Sequence, residues 1–380
     1  IKLGCEMANR KLFLFILTSF AIGFSIKAQV AKKPVVVVTD LCHPHQDPGD
    51  NFDLINAYAL PNIDLKAVLL DCHEPFRHEV AEGVGKGLFQ DTDGPRELGF
   101  IPVEPLNYIF DRNVPCGVGP FTPMISVSDK MKSIPVFQQS AVGLLVRILK
   151  EANEPITIVS FGSLRILAVA NNRFPDLMRQ KVKEIHMSAG TSNNHPEFLE
   201  LNAALDTNAF VSILRSDLPI IIYPCADGKI TEKNRGKSNA FVVDDGNTYY
   251  HLKDLSFVNH MDDRIRNYLD FVFSKAERKD YLSLLDKPYR DNGEIFHREQ
   301  HMWETAIWMQ VADLKLIKNE NGQQLIVPAY SVIEGNLFFM NRWYPVMLLL
   351  MNPEFLHIYQ AKIQTNIFIG EAIRRIMSVG

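Results

Sequence analysis

Residues Pro34 to Asp71 read PVVVVTDLCHPHQDPGDNFDLINAYALPNIDLKAVLLD. The four consecutive valines, Val35 to Val38, predict a strand buried on both faces, of the kind found inside a parallel sheet. Asp40 stands at its end. A loop carrying Asp47-Pro48-Gly49-Asp50 then leads into an apolar run from Leu54 to Leu60, which predicts a helix with one buried face. After the turn at Pro61-Asn62, Leu65-Lys-Ala-Val-Leu-Leu predicts a second strand. The unit is β-α-β, with Asp40, Asp47, Asp50 and Asp53 gathered where the first strand feeds the helix. In open α/β sheets that carboxyl end is where ligands bind.

Four aspartates so close in sequence repel one another unless something positive sits among them. A hard divalent cation with oxygen ligands, Ca²⁺ above all, would neutralise them. The plainer reading is that Asp50 and Asp53 favour the positive end of the helix dipole and cap it, with Asp47-Pro-Gly an ordinary turn. The stretch alone leaves both readings open.

The rest of the chain sets the frame. At 380 residues it holds one large α/β domain or two smaller ones. A formal charge of -4 and the lack of a long basic stripe give no electrostatic case for a nucleic-acid polymer. Five cysteines (Cys5, Cys42, Cys72, Cys116, Cys225) form no C-x-x-C pair, so neither a zinc site nor a dense disulfide framework is expected. Met7-Ala-Asn-Arg-Lys followed by apolar Leu12 to Phe24 has the layout of a secretory signal over residues 7–28, with cleavage before Gln29. That run is short for a membrane span, so no stable insertion is expected. The expected mature protein is exported, to the periplasm or outside the cell, as a single domain over 29–380.

Further strands and helices alternate: a helix at 78–87, a helix from Ser140, strands at Ile156–Val159, Val182–Met187 and Leu218–Tyr223, and a helix through Leu214. This predicts an α/β fold with a mostly parallel open sheet and helices on both faces. Residues 91–135, rich in Pro and Gly, read as a long loop. Residues 228–300 break the pattern and read as a helical insertion, a lid over the carboxyl end of the sheet. Glu299–Leu316 reads as one helix, and the segment from Ser331 as strand-like pieces with an amphipathic tail.

Three stretches together resemble the inosine-uridine nucleoside hydrolase family. They are the aspartate cluster (the family's D-x-D-x-x-x-D-D), Ile156-Thr-Ile-Val-Ser-Phe-Gly-Ser-Leu-Arg-Ile-Leu-Ala (I-T-L-V-x-x-G-P-L-T-N-x-A), and Met187-Ser-Ala-Gly with Glu200-x-Asn202-x-x-x-Asp206-x-x-Ala209 (M-G-G, then E-x-N-x-x-x-D-P-x-A). The resemblance covers about residues 34–315, apart from the insertion. It implies calcium-dependent hydrolysis of the N-glycosidic bond of ribonucleosides, through an oxocarbenium-like sugar related to that of two-carboxylate glycosidases. By that resemblance Asp40 is metal ligand and general base, and Asp47, Asp53, the carbonyl of Phe161 and Glu304 are further metal ligands. Asp50, Glu200 and Asn202 hold sugar hydroxyls. Family members are often dimers or tetramers, which makes a homo-oligomer an expectation of the same kind.

The sequence also departs from the family. The first motif is longer, so Asp47 competes with Asp40 for the role of base. Glu304 replaces an aspartate, and Trp303 stands where some members carry a histidine acid; His43, His45, His297 and His301 lie within reach in sequence. Asp206 reads as structural, setting a helix N-terminus. The rival expectation is a non-catalytic nucleoside- or carbohydrate-binding protein of the same fold, or a hydrolase of another glycoside.

Overall fold

In a computed structural model, the structure describes residues 32–43, 47–73, 97–190, 200–224, 250–252, 254–273, 281–290, 297, 299–318, 324–329 and 356–357. Lys33–Gly380 form one unit, separate from Ile1–Lys32. The expected leader, the expected helix at 78–87 and most of the tail lie outside the described residues.

In chain order the elements are β1 (Lys33–Thr39), α1 (Pro48–Ala59), β2 (Ile63–Leu70), α2 (Phe100–Ile109), β3 (Cys116–Val118), α3 (Ser140–Glu151), β4 (Ile156–Ser160), α4 (Arg165–Arg173), α5 (Pro175–Lys181), β5 (Val182–Ser188), α6 (Leu201–Leu205), α7 (Thr207–Leu214) and β6 (Ile220–Tyr223). There follow β7 (Tyr250–Leu252), α8 (Asp263–Phe273), α9 (Tyr281–Leu284), β8 (Gln300–Met302), α10 (Thr305–Val311), β9 (Leu314–Lys318), β10 (Gln324–Pro328) and β11 (Leu356–His357). Six strands form a parallel sheet in the order β3-β2-β1-β4-β5-β6. The order reverses direction between β1 and β4, and such a switch point opens a crevice at the carboxyl ends of the strands.

The valine run explains why β1 is central. Val35 and Val37 enter one hydrophobic cluster, with residues of α1, α2 and α8; Val36 and Val38 enter the other, with α3, α4 and α7. Alternate side chains of a strand point to opposite faces, so an unbroken apolar run needs cover on both. Each buried valine contributes about 1.5–3 kcal/mol relative to an exposed one.

Three elements differ from the sequence reading. Helix α1 is buried from Gly49 to Tyr58 on all sides, not on one face. Its outer face is covered by residues between 257 and 273, where Phe257 and Phe273 pack on Phe52 with ring centroids 5.5 and 5.9 Å away. The Tyr268 hydroxyl accepts from Asn51 of α1 (3.0 Å) and donates to the Pro102 carbonyl of α2 (2.8 Å). The described part of the expected helical insertion contains the helix α8, and also β7, a strand that pairs with β8.

Residues 91–135 are not one loop, because α2 lies inside them despite Pro102 and Pro105. Pro102 sits in the first turn, where its missing N–H is no loss. Glu97 accepts from the amides of Gly99 (2.9 Å) and Ile101 (3.1 Å), and Gly99 adopts φ 102°, a left-handed entry suited to glycine. Finally, Glu299–Leu316 is a strand, a helix and a strand (β8, α10, β9) rather than one helix.

Candidate active site

The aspartate cluster falls at the switch point. Asp40 follows β1 directly and is half-buried. Across from it, β4 runs into Phe161-Gly162, and a Cβ on Gly162 would meet Asp71 Oδ2 at 2.8 Å and Asp40 Cβ at 3.1 Å. Glycine here lets the turn after β4 lie against both carboxylates. Asp47 is exposed and caps α1, accepting from the Gly49 amide at 2.7 Å. Asp50 and Asp53, one turn further into the helix, are buried. Glu304 is buried at the N-terminus of α10.

These acids act on one another. Burial pushes Asp50 well above the usual carboxylate range, and the charges of Glu304, Asp47 and Asp40 push it further. Asp50 shares a hydrogen bond with Glu304 that favours the proton on Asp50. Burial raises Asp53 to about 8, against hydrogen bonds from Thr305 and Asn56 that lower it. Glu304 is raised by burial, then by Asp53 and Asp47. None of the influences named here is a cation.

Two of the buried oxygens, Asp53 Oδ2 and Glu304 Oε2, have no hydrogen-bond partner. Buried polar atoms are nearly always satisfied, so such a pair of acceptors needs an explanation, an ion among them. Carboxylates and a backbone carbonyl form the donor set of a hard cation, and in that respect the residues fit. Among the described residues, however, no three His, Cys, Asp or Glu side chains already stand together closely enough to hold a metal ion.

Glu200 caps α6. Its carboxylate accepts from the amides of Gly190 (2.8 Å), Asn202 (2.8 Å) and Ala203 (3.1 Å). Burial raises its pKa against those bonds. Asn202, half-buried, donates Nδ2 to the Ser188 carbonyl at 2.8 Å. Asp206 does set a helix N-terminus, accepting from the Ala209 amide at 3.0 Å. Trp303 is buried beside Glu304, so the position offers no proton donor of the histidine kind.

Sequence reasoning passed over a second buried constellation. Asp71, at the end of β2, accepts from His73 Nε2 (2.9 Å) and from the Ser163 hydroxyl (3.1 Å). Burial would raise Asp71, but His73, Arg165 and Ser163 outweigh it and hold the carboxyl below its ordinary value. Arg165, the first residue of α4, is fully buried behind this pair. The only sequence signal was an arginine where the resembled motif has a threonine.

The fold is an open, parallel α/β sheet with a cluster of acids at its switch point. Over about half of its length the chain is similar in sequence to ribonucleoside hydrolases. It is 29% identical over 185 residues to the pyrimidine-specific ribonucleoside hydrolase RihA of Enterobacter sp. (strain 638), covering 46% of this chain and 56% of that one. It is 27% identical over the same length to RihA of Escherichia coli O1:K1 / APEC, covering 46% and 57%. The chain thus spans about half the length of the curated relatives it matches. No protein-family profile matches it. Similar solved structures include a plant nucleoside hydrolase (17% identity, TM-score 0.43, 83% of this chain and 97% of that one). Another is the inosine-uridine preferring nucleoside hydrolase from Bacillus anthracis (13% identity, TM-score 0.38, 84% and 98%).

Proposed function

We propose that this protein hydrolyses the N-glycosidic bond of ribonucleosides to base and ribose, with Ca²⁺ as cofactor. The observation that carries the reading is the set of mutually repelling acids at the β1/β4 switch point, with Asp53 Oδ2 and Glu304 Oε2 buried and unpartnered. Asp40, Asp47, Asp53, the Phe161 carbonyl and Glu304 would hold the cation. When bound, it neutralises the acids and makes a neighbouring water more acidic.

Asp40 is the general base: it stands at the strand end, less buried than Asp50 or Asp53, where it can take the proton of the attacking water. Asp50, Glu200 and Asn202 orient the sugar, Glu200 partly by fixing the α6 turn on which Asn202 sits. The C–N bond breaks with its electron pair leaving on the base, which is protonated from solvent. The positive charge that builds on the sugar ring is favoured by the carboxylates and is quenched as the water oxygen, its proton passing to Asp40, bonds to the anomeric carbon.

The substrate is a small nucleoside. We read the protein as exported, on the strength of residues 7–28, which cell fractionation would test. A homo-oligomer is proposed by family likeness alone. The second reading, a binding protein without turnover, is favoured by Trp303 and by the lack of convergence of three ligating side chains among the described residues.

The deciding experiment is release of base and reducing sugar from a nucleoside panel by the full chain, with Ca²⁺ and with chelator. Calcium-dependent release is expected. Binding without release under any metal condition would instead establish the second reading.

A further inference from the structure

Arg165 has five N–H donors, and each has an acceptor. Nε donates to Asp206 Oδ2 at 2.7 Å. One terminal nitrogen donates to the carbonyls of Cys72 (3.1 Å) and Pro120 (2.8 Å). The other donates to the Leu205 carbonyl (3.0 Å) and to His73 Nδ1 (3.2 Å). The guanidinium cannot accept, so His73 Nδ1 must, and the ring hydrogen sits on Nε2 and goes to Asp71. Asp71–His73 has the outline of an acid–base dyad, but both ring nitrogens are spent inside the protein and both residues are buried. It is a closed connection and offers no proton to a substrate.

What it connects is informative. Asp71 and Cys72 belong to the end of β2, next to Gly162 and Asp40. Pro120 follows β3. Leu205 and Asp206 close α6, the five-residue turn whose other end carries Glu200 and Asn202. Asp206 also accepts from the Met124 amide at 2.8 Å, which ties the segment after β3 to the same point. One buried cation therefore sets the position of the expected sugar-holding arm relative to the strand ends that carry the expected base.

We infer that Arg165 is a positioning residue for sugar binding: it fixes α6, and with it Glu200 and Asn202, against the carboxyl end of the sheet. The inference rests on the hydrolase reading for its substrate, and on geometry for the rest. Lysine keeps the charge but has three donors on a single atom and cannot span these acceptors.

The test is Arg165→Lys in the full chain, measured on the best nucleoside of the panel. A loss of folded protein lowers the apparent kcat and leaves KM alone, whereas a displaced arm raises KM. The expected result is a rise in KM of about tenfold or more. An unchanged KM overturns the inference. Should Arg165→Lys fail to fold, His73→Gln, which disturbs a single one of the five acceptors, is expected to raise KM in the same direction, and an unchanged KM there overturns it equally. If the wild-type chain releases no base, the hydrolase reading fails by itself. Calorimetry with ribose as probe then decides: weaker ribose binding by the variant supports the role of Arg165, while equal binding, or none by the wild type, overturns it.

Discussion

The Thr305 hydroxyl donates to Asp53 Oδ1 at 2.8 Å, joining two residues 252 positions apart. Asn56 Nδ2 approaches the same oxygen at 3.4 Å, while Asp53 Oδ2 receives nothing. One oxygen of this carboxyl is thus held by neutral donors and the other is buried without one. The arrangement orients the side chain without neutralising it.

Asp40→Asn keeps the size of the side chain and removes its ability to take a proton. The turnover number for nucleoside hydrolysis should fall about 10²–10⁴-fold, the usual contribution of a general base. Steady-state assays with matched circular dichroism spectra check this. Undiminished turnover would move the role to Asp47.

Asp53→Asn should separate activity from stability. It removes a buried charge that has no cation among its main influences, so chelated protein at pH 8 should melt higher than wild type. Calcium should raise the melting temperature of wild type more than that of the variant. A lower melting temperature for the chelated variant would contradict the account of Asp53 given above.

Without calcium, stability should fall as pH rises. Asp53, Asp50 and Glu304 all have folded-state pKa values above their ordinary ones, Asp53 at about 8. Between about pH 4, where the unfolded carboxyls ionise, and pH 8, the folded state binds more protons than the unfolded state. Their contribution is therefore complete below that window and lost across it. Thermal melts from pH 4 to 8 in chelator should show the decline, and calcium should flatten it at the upper end.

Gly162→Ala places a methyl group 2.8 Å from Asp71 Oδ2, an oxygen held by His73, and 3.1 Å from Asp40 Cβ. Asp71 cannot swing away without breaking that bond, so Asp40 must move. A displacement of this size at a reacting group costs up to about 10²-fold in rate. Comparing kcat for Gly162→Ala with that for Gly143→Ala, where no atom lies within 4 Å of the added carbon, isolates the effect.

Tyr268→Phe removes a buried hydroxyl that bridges Asn51 of α1 and the Pro102 carbonyl of α2. The expected loss is about 1–3 kcal/mol, because the Pro102 carbonyl is left without this donor. Urea unfolding measures it.

The central strand and the acid cluster were legible because both are local. Val35 to Val38 specify burial on two sides, and the aspartates lie along one β-α connection. Helix α1 was half legible: the residues that cover its second face, Phe257, Phe273 and Tyr268, arrive some two hundred positions later, so only one buried face was foreseen. Helix α2 was hidden by Pro102 and Pro105, whose local preference is overridden by the Glu97 cap and by burial. Arg165 was invisible for a stronger reason. Its five acceptors lie between 40 and 93 positions away, and no spacing rule reaches them. At Glu200 the sequence suggested a sugar contact; the structure shows a helix cap at that position.

The bond between Thr305 and Asp53 also has a consequence in time. Ribosomes add roughly 5–20 residues per second, so roughly ten to fifty seconds separate the emergence of Asp53 from that of Thr305, 252 residues later. Throughout that interval the nascent chain carries its aspartates without the helix that orients Asp53 and brings in Glu304. Whatever the acids bind, they bind in finished form only after residue 305 has been made, and a growing chain is silent until then.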